Sequence, residues 1–340
     1  GLGDVYKRQD WEKENDCKVN LTVIPWDKYE ETYTTALNSG EGPDVGYMYN
    51  EMFPTYIDAG AVEDMSSYVT DEDKKEYKYL SNGNMMDGQY GWPLVTGVPF
   101  VLYYNEDILN ALGEKAPETW DDFARICQEA TKDTDGDGKV DQYGFACGMN
   151  TSDIGAMQIL NAYYYSALWQ NGGQVYNDDL KSVSFADEAG KEAVTWLKGL
   201  TSYMNEDFMS LSWSDAFSNV FGAGKAAFGI TRSSQTDGTT FAETYPDLNW
   251  NFVTSLKNKD FGTFGATDCL TLMSACEDKD LAMDFIKYVT GSEFMTAYHA
   301  KCPGAALTES EPYVGDEKME KIYTEDKDKW HGIQAGPCGT

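Results

Sequence analysis

Residues 19–49 read VNLTVIPWDKYEETYTTALNSGEGPDVGYMY. From Val19 to Ile24 apolar and polar side chains alternate, the period-two pattern of a half-buried strand. Pro25 lacks a backbone donor and stops that run. Asp27 and Glu30 follow at capping-box spacing, ahead of Tyr29, Tyr33, Ala36 and Leu37 at helical intervals. Gly40 and Gly42 end the helix, and Asp44 to Tyr49 makes a second strand. Strand, helix and strand in so short a stretch predict a parallel βαβ unit and an α/β fold.

The same grammar runs outward from there. Phe100 to Tyr104 is a buried-type apolar run, and Thr119 with Asp122 caps a helix whose inner face is Phe123, Ile126, Cys127 and Ala130. Residues 187–203 carry Ala189, Ala193, Trp196, Leu197 and Leu200 on one stripe. Lys225 to Ile230 predicts a strand, and 278–290 a helix with Ala282, Phe285, Ile286 and Val289 inward. The 340 residues suggest about two domains. Without a repeat or a low-complexity linker, two lobes joined by several chain crossings are expected.

A formal charge of −31, from 57 Asp+Glu against 26 Lys+Arg, repels phosphate backbones and anionic membrane surfaces. Nucleic acid is therefore not an expected partner. Only His299 and His331 are present, which leaves little scope for His-based catalysis or a His-built zinc site. The seven cysteines lack CxxC spacing and are odd in number, so free, mostly buried thiols are expected.

No apolar run reaches the roughly 18 residues of a membrane span, and no signal segment opens the chain. What opens it, through the DVYKRQ of residues 4–9, looks like a translated sequencing-library adaptor. Residues 1–9 are therefore expected to be an assembly scar outside the fold.

The most conspicuous local motif is DTDGDGKVD at 133–141. Asp133, Asp135, Asp137, the Lys139 carbonyl and Asp141 occupy the ligand positions of an EF-hand calcium loop, with Gly138 at the sixth. The twelfth, which should be a bidentate Glu, is Gly144. Either an incomplete structural calcium site or a tight Asp/Gly turn is expected, and no cofactor is required. The chain has no GxSxG, GxGxxG or phosphate-loop signature. Aromatic residues in turn contexts are the better clue: Tyr49, Trp92, Trp169 and Trp213 stand beside Gly, Pro, Asn or Asp. Ring faces beside polar groups suit a polyol, whose C–H faces stack while its hydroxyls hydrogen-bond.

Several segments in order carry a resemblance: GPDV at 42–45, DAGAVEDMSSYV at 58–69, YGWPLVTGVPFVLYYNEDIL at 90–109, PETWDDF at 117–123, DTDGDGKVDQYGF at 133–145, LWQNGG at 168–173, VFGAGKAAFGI at 220–230 and LAMDFIKYVTGSEF at 281–294. Together they resemble the extracellular solute-binding proteins of ABC importers, of the sugar-binding type that includes maltose-binding protein. The resemblance implies a two-lobed periplasmic-binding-protein-like α/β fold with a ligand cleft, a lipid-anchored extracellular receptor, a permease partner, a monomer and no catalysis. Lobe one would be 10–105 plus 260–305, and lobe two 106–259 plus 306–340.

Carried over residue by residue, the resemblance implies a ligand site. Asn50 and Glu51 would follow the second strand, Thr96 the loop after Pro93, and Asn150 and Asp153 the strand of lobe two. Phe264 and Asp268 would start a returning strand, with Trp169 and Trp213 as stacking rings. Where the family often has Gly-Pro-Trp, this chain has Thr231-Arg232-Ser233, so Arg232 is expected to fork onto hydroxyls or a carboxylate. A carbohydrate, oligosaccharide before monosaccharide, is the expected ligand. The alternatives are a secreted carbohydrate-active enzyme, a calcium-stabilised surface protein, and a receptor for a polyamine or other small solute. The family pattern also implies a first strand, signal segment and lipidated Cys before Asp10 and closing helices after Thr340, hence truncation at both ends.

Overall fold

The computed structural model describes residues 2–40, 42–151, 155–237 and 240–333. In chain order the strands are β1 (Val45–Tyr49), β2 (Asn84–Met85), β3 (Gly88–Gln89), β4 (Trp92–Gly97), β5 (Phe100–Asn105), β6 (Tyr143–Ala146), β7 (Ala226–Arg232), β8 (Trp250–Val253) and β9 (Ala266–Leu272). The chain divides into two compact units. Unit 1 holds the chain up to Gly97 and Ala266–Glu320; unit 2 holds Val98–Gly265 and Lys321–Gly332.

In unit 1 the sheet order is β1-β9-β4, with β9 antiparallel to both neighbours. β1 and β4 therefore run parallel to each other, with a late strand between them. Tyr47 stands opposite Leu270 and Tyr49 opposite Asp268, and the β4 register shifts between Pro93 and Val95. The helix Tyr29–Ser39 buries Tyr29 and Tyr33 against β1 and ends at Gly40, whose φ of 72° favours glycine. Gly46 sits under that contact: a Cβ there would lie 3.1 Å from the Tyr33 hydroxyl and 3.0 Å from Met273 Sδ. The helix Lys279–Thr290 covers the sheet with Ala282, Met283, Ile286 and Val289 buried.

In unit 2 the order is β6-β7-β5-β8. Only β6 and β7 are parallel; β5 is antiparallel to β7 and β8. The helix Trp120–Ala130 opens with the expected Thr119–Asp122 capping box and buries Phe123, Ile126, Cys127 and Ala130. Phe123 packs on Phe145 and Phe228, and Trp120 stacks on Trp196 of the helix Glu188–Gly199 at 4.1 Å.

Several expectations need correcting. Val19–Ile24 is not a strand: it has no ladder partner, and Leu21 and Val23 are 72% and 82% exposed. Nor does residue 27 hold the N-cap of the helix that follows. That helix starts at Tyr29 after a turn at Trp26–Lys28, with Lys28 at its N-cap, and Glu30 accepts a hydrogen bond from Tyr49. The expected scar is continuous with a helix, Leu2–Glu14. Trp11 donates to Asp284 at 2.9 Å and packs on Phe285, while the Tyr288 hydroxyl donates to the Lys7 carbonyl.

The unit bounds also differ from the expected lobes. Residues 98–105 belong to unit 2, because β5 pairs with β7 and β8. Residues 260–265 join unit 2 through hydrogen bonds between Phe100 and Phe264 and between Gln170 and Gly262. Residues 306–320 belong to unit 1, where Leu307 accepts from Lys78 and Glu309 donates to Glu76. Among the described cysteines, Cys127, Cys147, Cys269 and Cys276 are buried free thiols, Cys17 is half-buried and Cys302 exposed. No helix among the described residues is long and apolar enough to cross a membrane.

Candidate functional site

In unit 1, β1 runs into a turn at Asn50–Met52 and then the helix Phe53–Asp58. Asn50 is a strap: its Nδ2 donates to the Asn82 carbonyl at 3.0 Å and its Oδ1 faces Cys269 Sγ. Beside it, Glu51 has its carboxyl pushed up to about 7, by burial first and then by the charge of Asp268. Asp268 accepts the Tyr47 hydroxyl hydrogen, and burial and that carboxylate raise the Tyr47 phenol well above its ordinary range. Trp26 completes the group; 55% exposed, its ring centroid is 5.1 Å from Tyr29, 6.2 Å from Tyr47 and 6.4 Å from Tyr49. Thr96 is buried opposite Thr267, and its hydroxyl has no hydrogen-bond partner.

In unit 2, Asn150 ties its loop to 210–211, donating from Nδ2 to the Ser210 carbonyl at 3.0 Å and from its backbone to Leu211. Asp153 lies outside the described residues. Trp213 opens a helix capped by Ser212, and its ring meets Phe100 edge-on at 5.4 Å. Arg232, opposite Phe100 in the β5–β7 ladder, holds its guanidinium 5.5 Å from the Phe100 ring and 5.9 Å from Trp213. Its Nη2 donates to Gln158 Oε1 at 2.8 Å.

Trp169 and Phe264 are placed differently from expectation. Both are only 4% exposed, with near-parallel rings 6.5 Å apart, and His331 lies 4.0 Å from Trp169. Gly262 allows this packing, since a Cβ there would come within 2.6 Å of the Trp169 Cβ. Buried on these sides, they are core rings of unit 2. The structure thus gathers Tyr47 with Asp268, and Trp213 with Arg232. Sequence reasoning missed Trp26, Tyr47, Glu30, Phe100 and Gln158. The alternation that puts Tyr47 and Tyr49 on one face of β1 could have found two rings; Gln158 had no local signal.

The Asp-rich loop is exposed, and carboxylate oxygens of Asp133, Asp135 and Asp141 lie within 4.8 Å of one another. Those oxygens already serve the turn. Asp133 accepts from Gly136 and Gly138 at 2.6 and 2.7 Å, Asp141 accepts from the Thr134 backbone and hydroxyl, and Asp135 accepts from Asp137. The backbone hydrogen bonds hold the Asp133 carboxyl below its ordinary range. Asp137 accepts from the Lys139 backbone at 2.8 Å. Gly144 fits no twelfth ligand: any Cβ there would stand 2.3 Å from the Cys127 carbonyl oxygen.

An α/β chain in two units, each setting rings beside charged and polar groups near its strand ends, has the build of a solute-binding protein. Residues 8–312 match the family model of bacterial extracellular solute-binding proteins, and the chain belongs to that family. A Brucella abortus binding protein is 25% identical over 317 residues, covering 89% of this chain and 69% of its own. A Listeria monocytogenes ABC substrate-binding protein in complex with cycloalternan superposes with a TM-score of 0.74 at 18% identity, covering 98% of this chain and 86% of that one. RafE in complex with raffinose superposes with a TM-score of 0.70 at 22% identity, covering 97% and 85%. The fold is that of these proteins.

Proposed function

We propose that this chain is the extracellular receptor of an ABC importer, capturing a carbohydrate, oligosaccharide before monosaccharide, and delivering it to a membrane permease. The supporting observation is the pairing of half-exposed rings with polar groups that can take two hydroxyls at once. Trp213 stands beside Arg232 in unit 2, and Trp26, Tyr47 and Tyr49 stand with Asp268 in unit 1. A sugar offers C–H faces to such rings and hydroxyls to such groups. Two relatives of the same fold, one bound to cycloalternan and one to raffinose, add support. A lipid anchor, a monomeric state, hinged capture and the absence of catalysis belong to the same proposal.

Tryptophan fluorescence titrated against a panel of oligosaccharides tests it, with reducing ends assayed in parallel. A saturable change with one sugar and no new reducing ends is the expected outcome. Released reducing ends would make the protein an enzyme, and a response to polyamines alone would make it a cation receptor.

A further inference from the structure

Two strand-like stretches of unit 1 leave backbone groups without a strand to pair with. The first is Val19–Ile24. Among the described residues its backbone makes one hydrogen bond, from the Val19 N–H to Glu12 Oε1 at 2.9 Å, and Leu21 and Val23 are exposed. The second is the outer edge of β1, whose only ladder neighbour among the described residues is β9. On that edge the Tyr47 N–H donates to the Tyr33 hydroxyl at 2.8 Å, and the same hydroxyl donates to the Tyr47 carbonyl at 3.0 Å. One side-chain group thus stands where a neighbouring strand would. Ladder bonds alternate along an antiparallel pair, so Val45 and Tyr49 face outward together with Tyr47. Sheet edges are commonly blunted by charge or proline. Neither 19–24 nor 45–49 holds a charged residue or a proline, although 24% of the chain is charged.

We infer that Val19–Ile24 is a strap that zips onto the open edge of β1 as a parallel strand when the Tyr33 hydroxyl lets go. Three observations set the occupant. Val19, Leu21 and Val23 alternate with Asn20 and Thr22, the pattern of a strand with one covered face. The far end of the strap is already beside β1: Ile24 packs on the cluster of Tyr29, Tyr33 and Met48, and the Trp26 ring lies 6.2 Å from Tyr47 and 6.4 Å from Tyr49. Between Pro25 and Asp44 the chain carries the helix Tyr29–Ser39, which is what a parallel crossover needs.

Zipping exchanges one hydroxyl for a row of backbone hydrogen bonds and gives Leu21 and Val23 a sheet neighbour to pack against. It also fixes Trp26, two residues past the strap, so the strap sets the ring that unit 1 offers to a ligand. A second copy is the poorer occupant, because a charge of −31 on each chain opposes a shared edge whereas the strap is tethered at Ile24. The device does not depend on what the ligand is.

Amide hydrogen exchange on the full chain, read by mass spectrometry on peptides spanning 19–26 and 42–52, tests it. An unpaired strap exchanges like an unstructured peptide; the expected result is exchange of Asn20–Ile24 about thirtyfold slower than that. Val23→Pro removes one N–H and blocks pairing at a side chain that is 82% exposed. In that variant the protection of the strap is expected to fall about tenfold. Tyr33→Phe removes the competing hydroxyl and is expected to raise strap protection severalfold; should it not fold, Val23→Pro alone decides. Exchange of the wild-type strap at the unstructured rate overturns the inference. So does protection that Val23→Pro leaves unchanged, which would place its source outside a ladder. Protection that grows with protein concentration, alongside a doubled mass in light scattering, gives the edge to a second copy and overturns the in-chain strap.

Discussion

Glu51 shows how one carboxyl can tie stability to pH. Its folded carboxyl is pushed up to about 7, against about 4.3 for an unhindered Glu. Between those values the folded protein holds a proton that the unfolded chain has released, so stability falls as pH rises through this window. Glu51→Gln removes that loss. The variant is expected to melt above the wild type at about pH 8 and close to it at about pH 4.5; an equal gap at both would refute the shift. Trp169 and Trp213 make the opposite pair. Trp213→Ala is expected to weaken sugar binding roughly tenfold, whereas Trp169→Phe leaves it within about twofold and instead lowers stability. Urea unfolding and fluorescence titration on the same two variants check both halves. Gly262→Ala, with its Cβ forced onto Trp169, should cost about 1–3 kcal/mol by urea unfolding. Nothing local in FGTF separates Phe264 the core ring from Phe264 the ligand contact, because burial is decided by which rings arrive from residues 165–169 and 331.

Elements that close on themselves were legible, and elements that need a distant partner were not. Thr119 and Asp122 cap their helix with groups three residues apart, so the local text suffices. Val19–Ile24 has a strand's alternation, yet alternation without a ladder leaves these six residues outside any sheet. Likewise, β9 enters the unit 1 sheet between β1 and β4 from more than 160 residues downstream and pairs antiparallel with both, which no local pattern could show. The Asp-rich loop was legible as spacing, but only the fold shows Gly144 pressed against the helix Trp120–Ala130. With the Asp133, Asp135 and Asp141 oxygens already bonded to the turn and no twelfth ligand, calorimetry is expected to find calcium no tighter than about 1 mM. A micromolar dissociation constant lost in Asp135→Ala would overturn that.

At the scale of the whole molecule, a net charge of −31 repels itself in the folded state. Salt screens that repulsion, so Tm should rise by a few degrees between about 10 and about 150 mM NaCl. A Tm that falls over that range would mean that ion pairs such as Lys287–Asp73 outweigh the global repulsion. The same charge argues against nucleic acid as a partner on composition alone. What the sequence by itself determined was the class: α/β, built from short strands and amphipathic helices, with rings and carboxylates in turns and segments that mark the solute-binding family. Only the tertiary structure decided which rings are core and which are half-exposed, where the chain passes from one unit to the other, and that Tyr47 meets both Asp268 and the Trp26 ring. The reason is physical. Helix faces and caps are set by neighbours three or four residues away, whereas Trp26, Tyr47 and Asp268 meet only after the sheet has brought its strands into register.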